Sequence, residues 1–229
     1  MATLALILAL GFTTASAQEK SKLPSADRLV IDLFSDIWQN IPKDDLKPAA
    51  INRGIAFSMM FDKPLGYSNF SFAMGIGYSG HNLYSSSRLD VKPDLNDNPV
   101  FAFKKIEEGI DYKKNKININ YIEIPLEIRF RTKNTSEKFR IHIGGKIGYL
   151  INAHTKYKGE ESGGFNDNST VKVHFTNSEE VNSLRYGIQA RIGYSDYNLF
   201  AYYALNPLFK EGKGPEMFPI SVGLSYTPF

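Results

Sequence analysis

Apolar and polar residues alternate with a period of two along much of this chain. Ile122, Ile124, Leu126, Ile128 and Phe130 fall on even positions, with Glu123, Glu127, Arg129 and Arg131 on odd ones. Phe139, Ile141, Ile143, Ile147, Tyr149 and Ile151 are odd, and Arg140, His142, Lys146 and Asn152 are even. Leu184, Tyr186, Ile188, Ala190, Ile192 and Tyr194 interleave with Arg185, Gly187, Gln189, Arg191 and Gly193. A helix would bring apolar residues back at three and four, so these segments read as strands with one apolar and one polar face. Segments 28–38, 51–61, 69–84, 197–205 and 216–227 read likewise, and no stretch has a helical period of useful length. The pattern predicts an all-β chain of roughly eight strands.

The connections alternate as well. Short turns are expected at Asp62–Gly66, Lys133–Ser136 and Ser195–Asn198, and long loops at 39–50, 85–116, 157–182 and 206–215. Short turns at one end and long loops at the other describe an eight-stranded antiparallel up-and-down transmembrane β-barrel, with both termini at the short-turn end.

The aromatic residues separate a membrane barrel from a soluble one, in which the apolar face would line a ligand cavity. Phe61, Phe70, Phe130, Phe139, Tyr194, Tyr197 and Tyr226 all fall on the apolar face next to the short turns. Tyr78, Tyr149 and Tyr186 fall on the same face, eight to ten residues further along their strands. At ~3.3 Å per residue and ~40° tilt the two sets lie roughly 20–25 Å apart, the height of the lipid-facing band between two aromatic girdles.

The polar face then points inward. It carries Asp32, Asp36, Glu123 and Glu127 with Arg129, Arg140, Lys146, Arg185 and Arg191, among small residues such as Gly54, Ala56, Gly77, Gly148 and Gly187. Eight strands enclose just enough room for side chains to fill the interior. Stranding one charge there would cost several kcal/mol, so the acids and bases are expected to pair into a plugged core rather than line a pore.

The N-terminus adds a location. Residues 2–12 are uncharged and apolar and precede Ala15-Ser16-Ala17, the h-region and cleavage pattern of a secretory signal peptide. The expected division is a signal peptide over 1–17, a short periplasmic segment over 18–26 and the barrel over 27–229. The absence of cysteine excludes disulfides, thiolate metal sites and thiol chemistry. A net charge of +3, evenly spread, gives no argument for nucleic acid. Phe229 ends the chain in the manner of exported barrels, although Pro228 puts it out of phase with Phe218, Ile220, Val222, Leu224 and Tyr226.

Two neighbouring strands carry a resemblance. Tyr121-Ile122-Glu123-Ile124-Pro125-Leu126 resembles the Y-x-E-I-P-L motif of the PorT-like outer-membrane β-barrel proteins of Bacteroidetes. The Gly-rich run from Gly144 to Asn152 is similar to that family's next strand. The resemblance implies a cell outer-membrane barrel and, from the family's founding member, a connection to type IX protein secretion. It supplies no catalytic residues.

Candidate chemistry is sparse. Phosphate-loop, zinc-protease and nucleophile-elbow motifs are absent from the sequence. His142 is expected in the lumen, and His81, His154 and His174 near or in the outer loops. Ser79 and His81 are close in sequence, but no acid partner is evident for a hydrolase. Asp94-Leu95-Asn96-Asp97-Asn98 starts like a calcium loop, yet Pro99 stands where glycine belongs and Lys105 where the bidentate glutamate belongs. Lys104, Lys105, Lys113, Lys114 and Lys116 make the second long loop basic, suited to lipopolysaccharide phosphates or an acidic partner. The expectation is a non-enzymatic structural or accessory subunit without cofactor or metal. It would contact outer-membrane lipid and lipopolysaccharide, and protein partners through loops 85–116 and 157–182. The alternative is an enzyme acting on lipid or lipopolysaccharide at the barrel rim.

Overall fold

The computed structural model describes residues 29–93, 97, 99–132, 138–159, 170–175 and 180–228. The expected signal peptide, the 18–26 segment, the 133–136 turn, most of the calcium-like loop and Phe229 lie outside the described residues.

Eight long strands form the barrel: β1 (Leu29–Gln39), β2 (Arg53–Pro64), β3 (Phe70–Tyr84), β6 (Tyr112–Arg131), β7 (Phe139–Gly159), β9 (Leu184–Tyr194), β10 (Tyr197–Ala204) and β11 (Phe218–Tyr226). Each pairs antiparallel with the barrel strand before and after it, β1 pairs with β11, and the ring is therefore closed. Closure leaves the barrel without an exposed edge. All eight predicted strands are present. Three shorter ones lie in the segments expected to be loops: β4 (Ser87–Pro93) and β5 (Pro99–Lys105) form a hairpin, and β8 (Thr170–His174) pairs with the far end of β7. The short-turn end is well made for hairpins, with Gly66 at φ 62° after β2 and Ser195 at φ 52° in the tight β9–β10 turn.

Pro125 sits inside a central strand, where it has no N–H to offer. The β3–β6 ladder accordingly skips from the Met74–Leu126 pair to Gly77–Glu123.

The barrel is inside out relative to a water-soluble protein. Leu33, Phe57, Met59, Ile76, Ile124, Ile143, Ile188 and Leu224 are exposed on its outer face, while all nine predicted lumen charges are buried. Small residues on the inner face make room for large ones. A Cβ on Gly54 would lie 2.0 Å from the Phe34 ring, and one on Gly187 would lie 2.6 Å from the Tyr202 hydroxyl.

This polarity reverses along β6. From Ile122 onward the outward residues are apolar and the inward ones charged; before Tyr121, Lys114, Lys116, Asn118 and Asn120 face outward and Ile117 and Ile119 are buried. On β7 a bulge opposite Asn120–Tyr121 shifts the phase, so that Asn152, His154, Lys156 and Lys158 face outward with their β6 partners. Asn152, expected on the lumen face from simple alternation, lies beyond that bulge and pairs with Asn120. Above this level the protein has an ordinary apolar core: Trp38, Leu46, Leu83, Phe101, Phe103, Ile117, Ile119, Leu150, Phe175, Val181, Phe209 and Met217 pack together. The described parts of the long connections and the β4–β5 hairpin thus fold into a cap over one mouth of the barrel.

Candidate functional site

Polar side chains fill the lumen and bond to one another across it. Arg191 on β9 reaches three partners. Its Nη2 donates to Asp32 Oδ2 at 2.7 Å, its Nε to Ser225 Oγ at 3.1 Å, and its Nη1 to Glu127 Oε1. Glu127 also accepts from Gln189 at 2.9 Å and from Arg129 Nε at 2.8 Å. Arg140 is separate from this cluster: near the short turns it meets Thr227 and, at 3.3 Å, Asp196. Lys146 Nζ donates to Glu123 Oε2 at 2.9 Å and lies 4.4 Å from the Tyr202 ring centre.

A second cluster sits directly below the cap. Arg185 donates from Nε to the Tyr202 hydroxyl at 3.2 Å and from Nη1 to His81 Nε2 at 2.6 Å. A guanidinium only donates, so this His81 nitrogen is the acceptor and Nδ1 carries the proton. Nδ1 donates to Asp36 Oδ2 at 2.7 Å, and Ser221 Oγ donates to Asp36 Oδ1 at 2.6 Å. Ser79 Oγ lies 3.2 Å from His81 Nε2.

Asp36, His81 and Ser79 therefore stand in the order acid, base, nucleophile. His81, expected near or in the outer loops, faces the lumen near the outer end of β3, and Asp36 supplies the acid partner that sequence alone did not show. Forty-five residues separate Asp36 from His81, and the curvature of three successive strands brings them together. The arrangement is closed to substrate, however. Ser79 is fully buried, Arg185 already occupies the nitrogen that would receive the serine proton, and the space beside His81 and Arg185 is about 10 Å³. That volume holds one water at most.

The lumen side chains outside the predicted charge set are Ser79, His81, Tyr202, Ser221 and Thr227, and Asp196 reaches Arg140 from the β9–β10 turn. Alternation alone would have placed all but Asp196 on the inner face.

All ten girdle aromatics lie on the outward face. Phe70 packs against the half-buried Phe130 with ring centres 5.1 Å apart, and Tyr197 against Tyr226 at 5.3 Å. Phe139 pairs with Tyr194, which pairs with Tyr197, so this ring is continuous over four strands. At the other level, Tyr78 and Tyr149 flank Ile122, and Tyr78 donates to Asn120 Oδ1 at 2.9 Å.

On the cap, the β4–β5 hairpin and the chain after it border a pocket of about 340 Å³ beside β6 and β7, lined by Arg88, Lys104, Lys105, Glu107, Ile106 and Tyr157. The Arg88 guanidinium stacks 3.5 Å over the Tyr157 ring. Lys114 and Lys116 lie on β6 and face outward instead. Among the described residues no group of His, Asp or Glu is arranged to hold a metal ion.

A closed eight-stranded barrel with an apolar exterior, charged interior and aromatic rings at two levels is a membrane-spanning β-barrel. A family model described as outer membrane protein beta-barrel domain matches residues 24–210, and the chain belongs to that family. It is an outer-membrane protein. Neither a curated protein nor a solved structure matches it.

Proposed function

We propose that this protein is a non-enzymatic structural or accessory subunit of an outer-membrane complex, acting through the surface of its cap. The observation that carries this reading is the doubly closed barrel. Among the described residues, side-chain pairs fill the lumen, an apolar core covers its mouth, and the space beside the Asp36–His81–Ser79 group is about 10 Å³. Activity then has to reside on outer surfaces. The cap is larger than chain closure needs, and its pocket combines cations, a carboxylate and apolar walls, the mixture that a protein partner can use.

The Y-x-E-I-P-L strand and the glycine-rich strand after it support a PorT-like member of the family, and hence protein secretion of type IX as the process served. Assembly of outer-membrane proteins is the neighbouring possibility within the same class. In this reading residues 1–17 direct export, both termini lie in the periplasm and the cap faces outward from the cell.

Mild-detergent extraction of native membranes through a tag in the 160–169 connection tests this. Stoichiometric recovery of secretion or assembly components, lost in Lys104→Glu/Lys105→Glu, is the expected result. A heat-modifiable barrel recovered alone, or a complex indifferent to those substitutions, overturns the proposal.

A further inference from the structure

Three strands carry an unusual row of charge just outside the membrane. Lys116 on β6 pairs directly with Lys156 on β7, which pairs directly with Lys172 on β8; Lys114 and Lys158 form another such pair one step beyond. Opposed residues in an antiparallel sheet share a face and sit about 5 Å apart at Cα, so like charges there destabilise the sheet. Among the described residues the lysine ion pairs are those of Lys104 and Lys146, and none of these five is relieved by a described carboxylate. Lys116 donates to Asn82 Oδ1 and is held below the ordinary lysine range, first by burial and then by the charges of Lys114 and Lys156. This face can take an anion from outside the described residues.

Its height above the membrane narrows the choice of anion. Six residues separate Lys116 from Ile122 at the upper aromatic level, which at ~3.3 Å per residue and ~40° tilt is roughly 15 Å. A phospholipid headgroup layer is only about 5–7 Å deep on each side of the hydrocarbon, so its phosphates lie well below the row. The intervening surface is neutral and rich in amides. Asn118 donates to Asn82 at 3.1 Å, Asn120 to Asn118 at 2.7 Å, and His154 Nδ1 lies 2.8 Å from Asn152 Oδ1. The His154 and His174 rings pair at 5.1 Å in the same belt. Reading outward from the lipid, the surface offers aromatics, then hydrogen-bonding amides and imidazoles, then cations.

We propose that the outward face of β6, β7 and β8 binds the phosphorylated saccharide headgroup of a glycolipid of the lipopolysaccharide class, with the Asn and His belt on sugar hydroxyls and the lysine row on phosphates. The proposal rests on the membrane placement and on the cap facing outward from the cell. It is independent of any protein partner, because it is read on the isolated protein.

The test titrates the full-length protein in detergent with purified lipopolysaccharide, with the same material dephosphorylated, and with phosphatidylglycerol, reading bound lipid by native mass spectrometry. Lipopolysaccharide is expected to bind at least tenfold tighter than either control. Lys116→Gln/Lys156→Gln/Lys172→Gln should weaken it by about tenfold or more, while Lys63→Gln, next to the turn after β2, leaves it unchanged. If the triple variant loses its heat-modifiable band, Lys114→Gln/Lys158→Gln replaces it with the same direction expected. Equal binding of phosphatidylglycerol, of the dephosphorylated lipid or by the variants overturns the proposal.

Discussion

Arg191 Nη2 and Asp32 Oδ2, 2.7 Å apart, join two strands that are not neighbours in the sheet. Their bond spans the lumen, and through Glu127 it links β1, β9 and β6. Arg191→Ala would leave two buried carboxylates without this cation. Breaking a buried pair by removing one partner costs about 3–5 kcal/mol. The variant should unfold in detergent at clearly lower temperature or denaturant concentration while still reaching the membrane. A change below about 1 kcal/mol would mean that these charges do not hold the barrel together.

The closed lumen predicts electrical silence. In planar bilayers the wild-type protein should add no steady conductance, because charged and aromatic side chains occupy the passage and the cap closes one mouth. Well-resolved single-channel steps from protein with a verified heat-modifiable band would contradict the plugged interior.

Phe103 is buried in the cap core with Leu83, Ile117 and Ile119. Phe103→Ala should destabilise that core by about 3–5 kcal/mol. The barrel below has its own outer lipid contact and inner bonds, so heat-modifiability should persist while the cap becomes sensitive to protease. Loss of both together would show that cap and barrel fold as one unit.

The reversal of polarity along β6 predicts opposite outcomes for one substitution at two outward positions. Leu126→Arg places a charge on the apolar belt and should cost about 2–4 kcal/mol if it lies near the bilayer midplane. Asn118→Arg, eight residues earlier on the same face, should be nearly neutral. Equal effects at the two sites would move the membrane boundary.

His154 lies above that boundary. Burial, followed by the neighbouring His174 and the charges of Lys172, Lys116 and Lys156, holds its pKa below 6.5. The unfolded chain therefore takes up the proton first as pH falls. The stability this neutral histidine contributes is full above pH 6.5 and lost below it. Hydrogen exchange at the Val173 amide, corrected for its intrinsic pH dependence, should lose protection between pH 7.5 and 5.5. In His154→Gln that loss should be absent.

The barrel was legible because membrane strands have two chemically opposite faces: Leu184 to Tyr194 announces both its lipid side and its lumen side in eleven residues. The lumen charges followed from the same alternation, as did Phe70 and Tyr149 on the outer face. The cap was harder to see. Its strands are short, and Leu89 and Val91 or Phe101 and Phe103 alternate for too few residues to stand out from a loop. The start of β6 carried a signal that goes unread when alternation is followed from Ile122 onward, namely Ile117 and Ile119 with the phase opposite to Ile122 and Ile124. Asp36 beside His81 had no signal in sequence, since only the closure of the barrel sets which residues face each other across it.

That change of phase gives β6 the properties of a depth gauge. A slip of one residue would turn the isoleucines of the cap core toward water and the lumen acids toward lipid. A slip of two would keep the faces correct, yet it would draw Asn120 into the hydrocarbon or lift Ile122 out of it, a displacement of about 7 Å along the strand. Both errors are penalised at two places simultaneously. The strand therefore records how far the molecule sits in its membrane as well as which way each side chain points, and the lysine row is carried at a set height above the lipid.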